Sequence, residues 1–331
     1  MLNFIRNCIE EEGQPLFVTG SYDAIMTINK NNLTISSWMN IKWIREKGPA
    51  YIFHHGEQVL VAGTACPQVV ICQNKFGANE CFIYEENVFC KYVCLIGDNI
   101  WFFPKNLRDG IIKFDVLRKN FIKEKNIYNS ELESLKFTYG NSYRDLVYLN
   151  DMRTKELIEI NIKKRESRII KLPIEDTIFS VTLIKNLLYL TSATTSKVYI
   201  LNLKYELIGD YSCEKTDKPF AKPIEAREGL ILCNDDQLFY FENGHYYEIQ
   251  CPPEVKGKNS WFLTSFDFDI DKKIVLLPWT SKYIVEIDTE KKVITSYKKC
   301  KTASDGMICK KIIHETQYGD MLIDFLEEVC K

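Results

Sequence analysis

Ile100-Trp101-Phe102-Phe103-Pro104, a short polar gap, then Ile112-Lys113-Phe114-Asp115: this stretch decides the fold. The first run is continuously apolar, as a strand buried on both faces is, and the second alternates, as a half-buried strand does. Between them, Lys105-Asn106-Leu107-Arg108-Asp109 supplies the residues of a turn. The stretch reads as a β-hairpin.

The same pair of runs recurs along the chain. The apolar member is found again at Leu16–Gly20, Val59–Gly63, Leu146–Asn150, Leu187–Thr191, Leu230–Asn234 and Ile274–Pro278. The alternating members end at Asn29, Cys72, Asp115, Asn161, Asn202, Glu242 and Asp288, at spacings of 43, 43, 46, 41, 40 and 46 residues. A fixed period of this size marks a repeat architecture. Each unit also has a strand ahead of the apolar run, as in Tyr51–Gly56 before Val59, and a polar one behind it, as in Phe121–Lys125. Gly13, Gly56 and Gly97 each precede the end of an apolar run by seven residues, the place of a tight turn. Glycine enters left-handed conformations there without steric cost.

Four strands graded from apolar to polar make a propeller blade. The expected fold is therefore all-β, a β-propeller of seven four-stranded blades over residues 1–300. A six- or eight-bladed ring is the alternative, if a terminal segment adds a strand or one unit is malformed. Solenoid rungs are shorter than this period, and tandem sandwiches would not keep one period along the whole chain. Residues 301–331 depart from the repeat. Met321, Leu322, Phe325, Leu326 and Val329 recur at helical spacing behind Asp320 as an N-cap, predicting a short C-terminal helix packed on the ring.

The repeat resembles that of the NHL and YVTN propellers, in which a hydrophobic strand, a polar turn and an aliphatic-x-aromatic-Asp strand recur. Ile100–Pro104 with Ile112–Asp115 matches best, followed by Leu188–Thr191 with Val198–Asn202. The resemblance covers residues 1–300, is generic, and implies a fold without a function, since most units lack the Asp or Asn-Arg of the hairpin turn. The Gly-His and Trp-Asp pairs of WD40 repeats do not recur.

Of the 331 residues, 46% are hydrophobic and 13% aromatic, enough for a large core. The net charge of −2 gives no overall positive field, so neither nucleic acid nor a membrane is an expected partner. Met1–Cys8 lacks the basic and apolar regions of a signal peptide, and no apolar run is long enough to span a bilayer, so a cytoplasmic monomer is expected. The 12 cysteines, from Cys8 to Cys330, include no CxxC pair, and the chain has only four histidines. Zinc ligands come in closer pairs. Cys72 and Cys233 sit inside apolar runs and read as reduced, packed thiols. No metal or cofactor is expected.

Propellers bind at the mouth of the central channel, where turns and blade-to-blade loops converge; the fold sets the place and not the chemistry. The candidates there are Tyr22, Lys105, Arg108, Arg153, Trp279 and Lys282. Trp279, directly after Pro278, has no strand face to bury it and offers a flat contact surface. The four cations give the face a local positive field, unless they are merely solvated turn residues. His54 and His55 are adjacent on a strand and point to opposite faces, so they cannot share one ion; one should face a neighbouring blade and the other solvent. No GxSxG, HExxH, P-loop or GxGxxG motif occurs, and no catalytic residue is assigned. The acids near turns, Asp23, Asp109, Asp151, Asp235 and Asp236, are equally well turn formers. Two readings stand. One is a non-catalytic binding or scaffold propeller for a protein, peptide or glycan. The alternative is a metal-dependent propeller hydrolase or lyase acting in the channel.

Overall fold

The repeat folds into seven four-stranded antiparallel sheets, each contiguous in sequence, in the computed structural model of the chain. The structure describes residues 5–11, 13–18, 23–29, 32–45, 48–72, 79–124, 127, 132, 137, 139–151, 153–257, 262–268 and 272–300. The seven apolar runs form the second strands of blades 1 to 7. These are Gln14–Val18, Gln58–Gly63, Asn99–Pro104, Leu146–Asn150, Leu187–Ser192, Gly229–Cys233 and Lys273–Pro278. The alternating runs form the third strands. The fourth strands are polar, as in Val293–Lys299 of blade 7, where exposed and half-buried residues alternate.

The first strands are Cys8–Glu11, Ala50–His55, Cys90–Ile96, Tyr139–Tyr143, Ile178–Ile184, Ile224–Ala226 and Phe262–Phe268. They neighbour one another around the ring and so line its central channel. Side chains of a strand alternate between two faces, so each second strand feeds two cores at once. Ile100 and Phe102 pack with Leu60, Val69 and Ile71 of blade 2, whereas Trp101 and Phe103 pack with Val147 and Leu149 of blade 4. This explains why the second strands carry almost no polar residues.

Among the described residues, blade 7 meets blade 1 without exchanging a strand. Phe17, Met26, Val275, Leu277 and Ile284 form the apolar seam. The Ile5 backbone N–H donates to the Pro278 carbonyl at 3.2 Å, and Lys298 Nζ reaches the Asn32 carbonyl at 3.1 Å and Thr34 Oγ1 at 2.9 Å.

Gly13, Gly56 and Gly97 hold φ values of 70°, 59° and 57° in the turns between first and second strands, as their spacing predicts. In blades 4, 5 and 7 the same turns place Arg144, Lys185 and Lys272 at φ 53°, 48° and 53°. A side chain in that region costs roughly 1–2 kcal/mol. The glycine signal therefore covers part of the ring only.

His54 and His55 do point to opposite faces, but both meet a neighbouring blade. His54 Nε2 lies 2.6 Å from the Glu10 carbonyl and 3.2 Å from the Glu11 carboxylate, and His55 Nε2 lies 2.8 Å from Asp98 Oδ1. The expectation that one faces solvent fails because a radial blade is flanked on both sides. Cys72 and Cys94 are buried thiols, pushed up to about 12 by desolvation. Helical structure among the described residues is confined to short 3-10 turns such as Leu107–Asp109 and Pro253–Val255, and no helix there is long and apolar enough to cross a membrane. The expected C-terminal helix lies outside the described residues.

Gly140, in the first strand of blade 4, lets the Tyr92 ring of blade 3 lie against the backbone. A Cβ there would come within 2.5 Å of Tyr92 Cγ and 2.9 Å of Leu149 Cδ2. The Tyr92 hydroxyl and Ser142 Oγ are 2.9 Å apart and hold the ring in place. Gly140→Ala is expected to lower stability by about 1–3 kcal/mol through overpacking. Urea denaturation measures this, and an unchanged midpoint would show that Tyr92 moves aside freely.

Candidate binding site at the channel mouth

The turns between second and third strands and the connections between blades share one face of the ring. The Lys105 N–H, from one such turn, donates to the Phe89 carbonyl of a connection at 3.1 Å. The first strands enter the channel from this face. In blades 3, 5 and 7 the pairing of the first strand slips at its second residue. Cys90 and Tyr92 pair with Pro104 and Phe103, leaving Lys91 unpaired in the ladder. Phe179 and Leu263 are left unpaired in the same way. A β-bulge bends the strand and re-aims the extra side chain. Three bulges thus fall at one level, where the channel opens.

Arg6 enters this level from the segment ahead of blade 1. Its guanidinium carbon lies 4.4 Å from the centre of the Trp279 ring and 5.9 Å from that of Tyr51. These are cation–π distances. Its Nε is buried and has no hydrogen-bond partner among the described residues. Lys222 precedes the first strand of blade 6 and is pulled down to about 8, by burial first and then by the charge of Arg6. Lys91 is lowered by the same two causes and by the charge of Lys105. Among the described residues, no salt bridge engages Arg6, Lys91 or Lys222. Burial holds the phenols of Tyr51 and Tyr92 protonated. Tyr139 and Phe179 add aromatic surface, their rings 5.2 Å apart. A cavity of about 440 Å³ runs along the channel wall beside Lys222, lined by Asn141, Thr182, Glu225, Leu263 and Thr264 among others.

The residues expected from sequence fare unevenly. Tyr22 lies outside the described residues. Lys105 is exposed on the rim, close enough for its charge to act on Lys91. Arg108 and Lys282 are exposed on turns of the same face. Arg153 pairs with Asp151 inside its own turn, which spends its charge locally. Trp279 is half-buried under Arg6, so it is the floor of a stack and not an open surface. Two of the acids near turns have local partners. Asp151 accepts from the Arg153 N–H at 3.0 Å, and Asp236 pairs with Lys218. Among the described residues, no three of His, Cys, Asp or Glu are grouped so as to hold a metal ion.

Sequence reasoning missed Arg6, Tyr51, Lys91 and Lys222. A signal existed: they lie eight to ten residues ahead of Leu16, Val59, Ile100 and Leu230, where each apolar run begins. That is the channel-mouth end of each first strand. The turns drew attention because they look like loops, whereas the first strands carry the residues that converge.

The sequence matches no protein-family model and no curated protein. Solved propellers share its architecture. A catalytically inactive variant of virginiamycin B lyase from Staphylococcus aureus, with quinupristin, is 11% identical, with a TM-score of 0.62 over 82% of this chain and 90% of that one. YCF48 bound to D1 peptide is 9% identical, with a TM-score of 0.61 over 84% of this chain and 91% of that one. Hsv2 from Kluyvelomyces marxianus is 11% identical, with a TM-score of 0.61 over 90% of this chain and 99% of that one. At such identities the likeness shows the fold alone. The chain is a seven-bladed β-propeller, a class whose members include binding proteins.

Proposed function

We propose that this chain is a non-catalytic binding propeller that takes a segment of a protein or peptide at its channel mouth. The observation that carries this reading is the stack of Arg6 on Trp279 beside Tyr51, with Lys91 and Lys222 close by and no acid paired to them among the described residues. Aromatic faces give contact area at low entropic cost, and the cations favour a segment bearing acids over a neutral glycan. A peptide-bound propeller among its structural neighbours accords with this use of the fold. On this reading the protein works as a cytoplasmic monomer, and its NHL- and YVTN-like repeat supplies the scaffold. The hydrolase alternative asks for acids converging on the channel, and of those near the mouth Asp151 serves its own turn and Asp236 pairs with Lys218.

The test is a peptide display library panned against the folded ring. Enriched peptides are expected to bind Trp279→Ala about tenfold more weakly, a change of about 1.4 kcal/mol, with the thermal midpoint nearly unchanged. Lost stability with unchanged binding would make Trp279 a structural residue. A library that enriches nothing would remove the reading.

A further inference from the structure

We infer that Arg6, Lys91 and Lys222 together form a site for one compact oxyanion, a carboxylate or phosphate group carried by the bound segment. The inference rests on the binding reading above and deepens it.

Arg6 is close enough for its charge to act on both Lys91 and Lys222, and burial raises the cost of that repulsion by removing water. A folded chain relieves such a cluster with acidic side chains, by turning the cations out to solvent, or with a ligand. The first is missing, since no salt bridge engages any of the three among the described residues. The second is limited, since all three residues are only part-exposed. Arg6 is held between the Trp279 and Tyr51 rings, and Lys91 sits on a bulge at the channel mouth. The main chain beside Lys222 is fixed, because the Ala221 N–H donates to the Cys233 carbonyl at 2.8 Å and Pro223 follows, and Lys222 lines the cavity. The third remains.

An oxyanion also answers the buried Nε–H of Arg6, which has no acceptor among the described residues. Charge-assisted hydrogen bonds from guanidinium and ammonium groups are the strong ones, and planar carboxylates and phosphates fit them. The position along the channel follows from the other charges. Glu225 lines the deeper part of the cavity, and Arg227 and Asp267 pair there at 3.0 Å, so the oxyanion sits at the upper, cationic end. The cavity of about 440 Å³ has room for the residues behind such a group, with Asn141, Thr182 and Thr264 as polar contacts.

The probes are inorganic phosphate and one short peptide in three forms: free carboxyl terminus, amidated terminus, and amidated with a phosphoserine. Calorimetry on the intact chain is expected to show millimolar or tighter binding of phosphate. Arg6→Gln, Lys91→Met and Lys222→Met should each weaken it about tenfold or more, whereas Lys222→Arg and the distant Lys171→Met should not. Tight binding of the free-carboxyl form over the amide identifies a peptide terminus as the source. Tight binding of the phosphoserine form identifies a phosphate. On the unmodified chain near pH 8, binding should take up a fraction of a proton, read from its dependence on the buffer's ionisation heat, because the anion restores the charge of Lys222. No binding of any probe, or equal binding by the triple variant, overturns the site. Peptides that bind through Trp279 but ignore all three cations would overturn this inference and leave the binding reading standing. Phosphate that binds while no peptide does would do the reverse.

Discussion

Lys222→Met is expected to make the folded chain more stable near pH 7, by roughly 1–3 kcal/mol, while it loses its oxyanion. A side chain whose loss helps folding and harms binding is kept for binding. The sign follows from the titration. Lys222 titrates in the folded chain near 8, against 10.5 for an ordinary lysine, so near pH 7 the fold carries a charge that burial penalises. Contact with channel water keeps the penalty below the full shift. Between about 8 and 10.5 the unfolded chain holds a proton that the folded one has released, so the Lys222 contribution to stability rises with pH across that window. The buried thiols act oppositely. Cys72 and Cys94, held up to about 12, stay protonated in the fold while the unfolded chain loses those protons above 9. The measurement is therefore the difference between the two proteins in urea denaturation, at neutral pH and in the alkaline window. The gain from methionine should shrink as pH rises. A variant that is less stable at neutral pH would show that Lys222 is packed as a structural residue.

Phe17→Ala is expected to cost about 3–5 kcal/mol, as the loss of a fully buried aromatic does. The kinetic form of that loss should be particular. Phe17 packs across the seam on Val275 and Leu277, residues more than 250 positions away in sequence, whereas Phe239 packs between blades 5 and 6 on nearby chain. Contacts that close the longest loop form late. Phe17→Ala should then act mainly by speeding unfolding, and Phe239→Ala should also slow folding. Chevron plots of the two variants decide this. Equal slowing of folding by both would mean that the ring is already closed at the rate-limiting step.

The fold was legible because each second strand is squeezed between two cores and can hold only apolar residues. Phe102 and Phe103 face different blades, and both must be buried, so the run stands out against any polar background. The third strands mark the period for a related reason, ending where the chain turns back to solvent. The turns were legible only where glycine occupies them, since Arg144, Lys185 and Lys272 adopt the same conformation with no sequence signal. The mode of closure was not legible at all, because the seam between Phe17 and Leu277 looks like any other blade contact. For the site, the sequence offers Trp279 as an open surface, whereas the structure half-buries it under Arg6, which nothing in its local sequence announces. Lys91 depends on a bulge, and a bulge is a property of pairing between strands. A run of residues does not reveal which of them the ladder will leave out.

On the proposed reading, the cationic mouth also bears on how fast an anion arrives. The chain as a whole carries a charge of −2, so an anionic segment approaching from afar meets weak repulsion. Within about 10 Å of the mouth, roughly a Debye length at moderate salt, Arg6, Lys91 and Lys222 dominate instead. Low-dielectric walls around a narrow opening concentrate their field along the channel axis. Capture is then selective in direction: encounters elsewhere on the ring are unproductive, and those over the mouth are drawn in. On that reading the ring is a funnel whose reach is set by ionic strength.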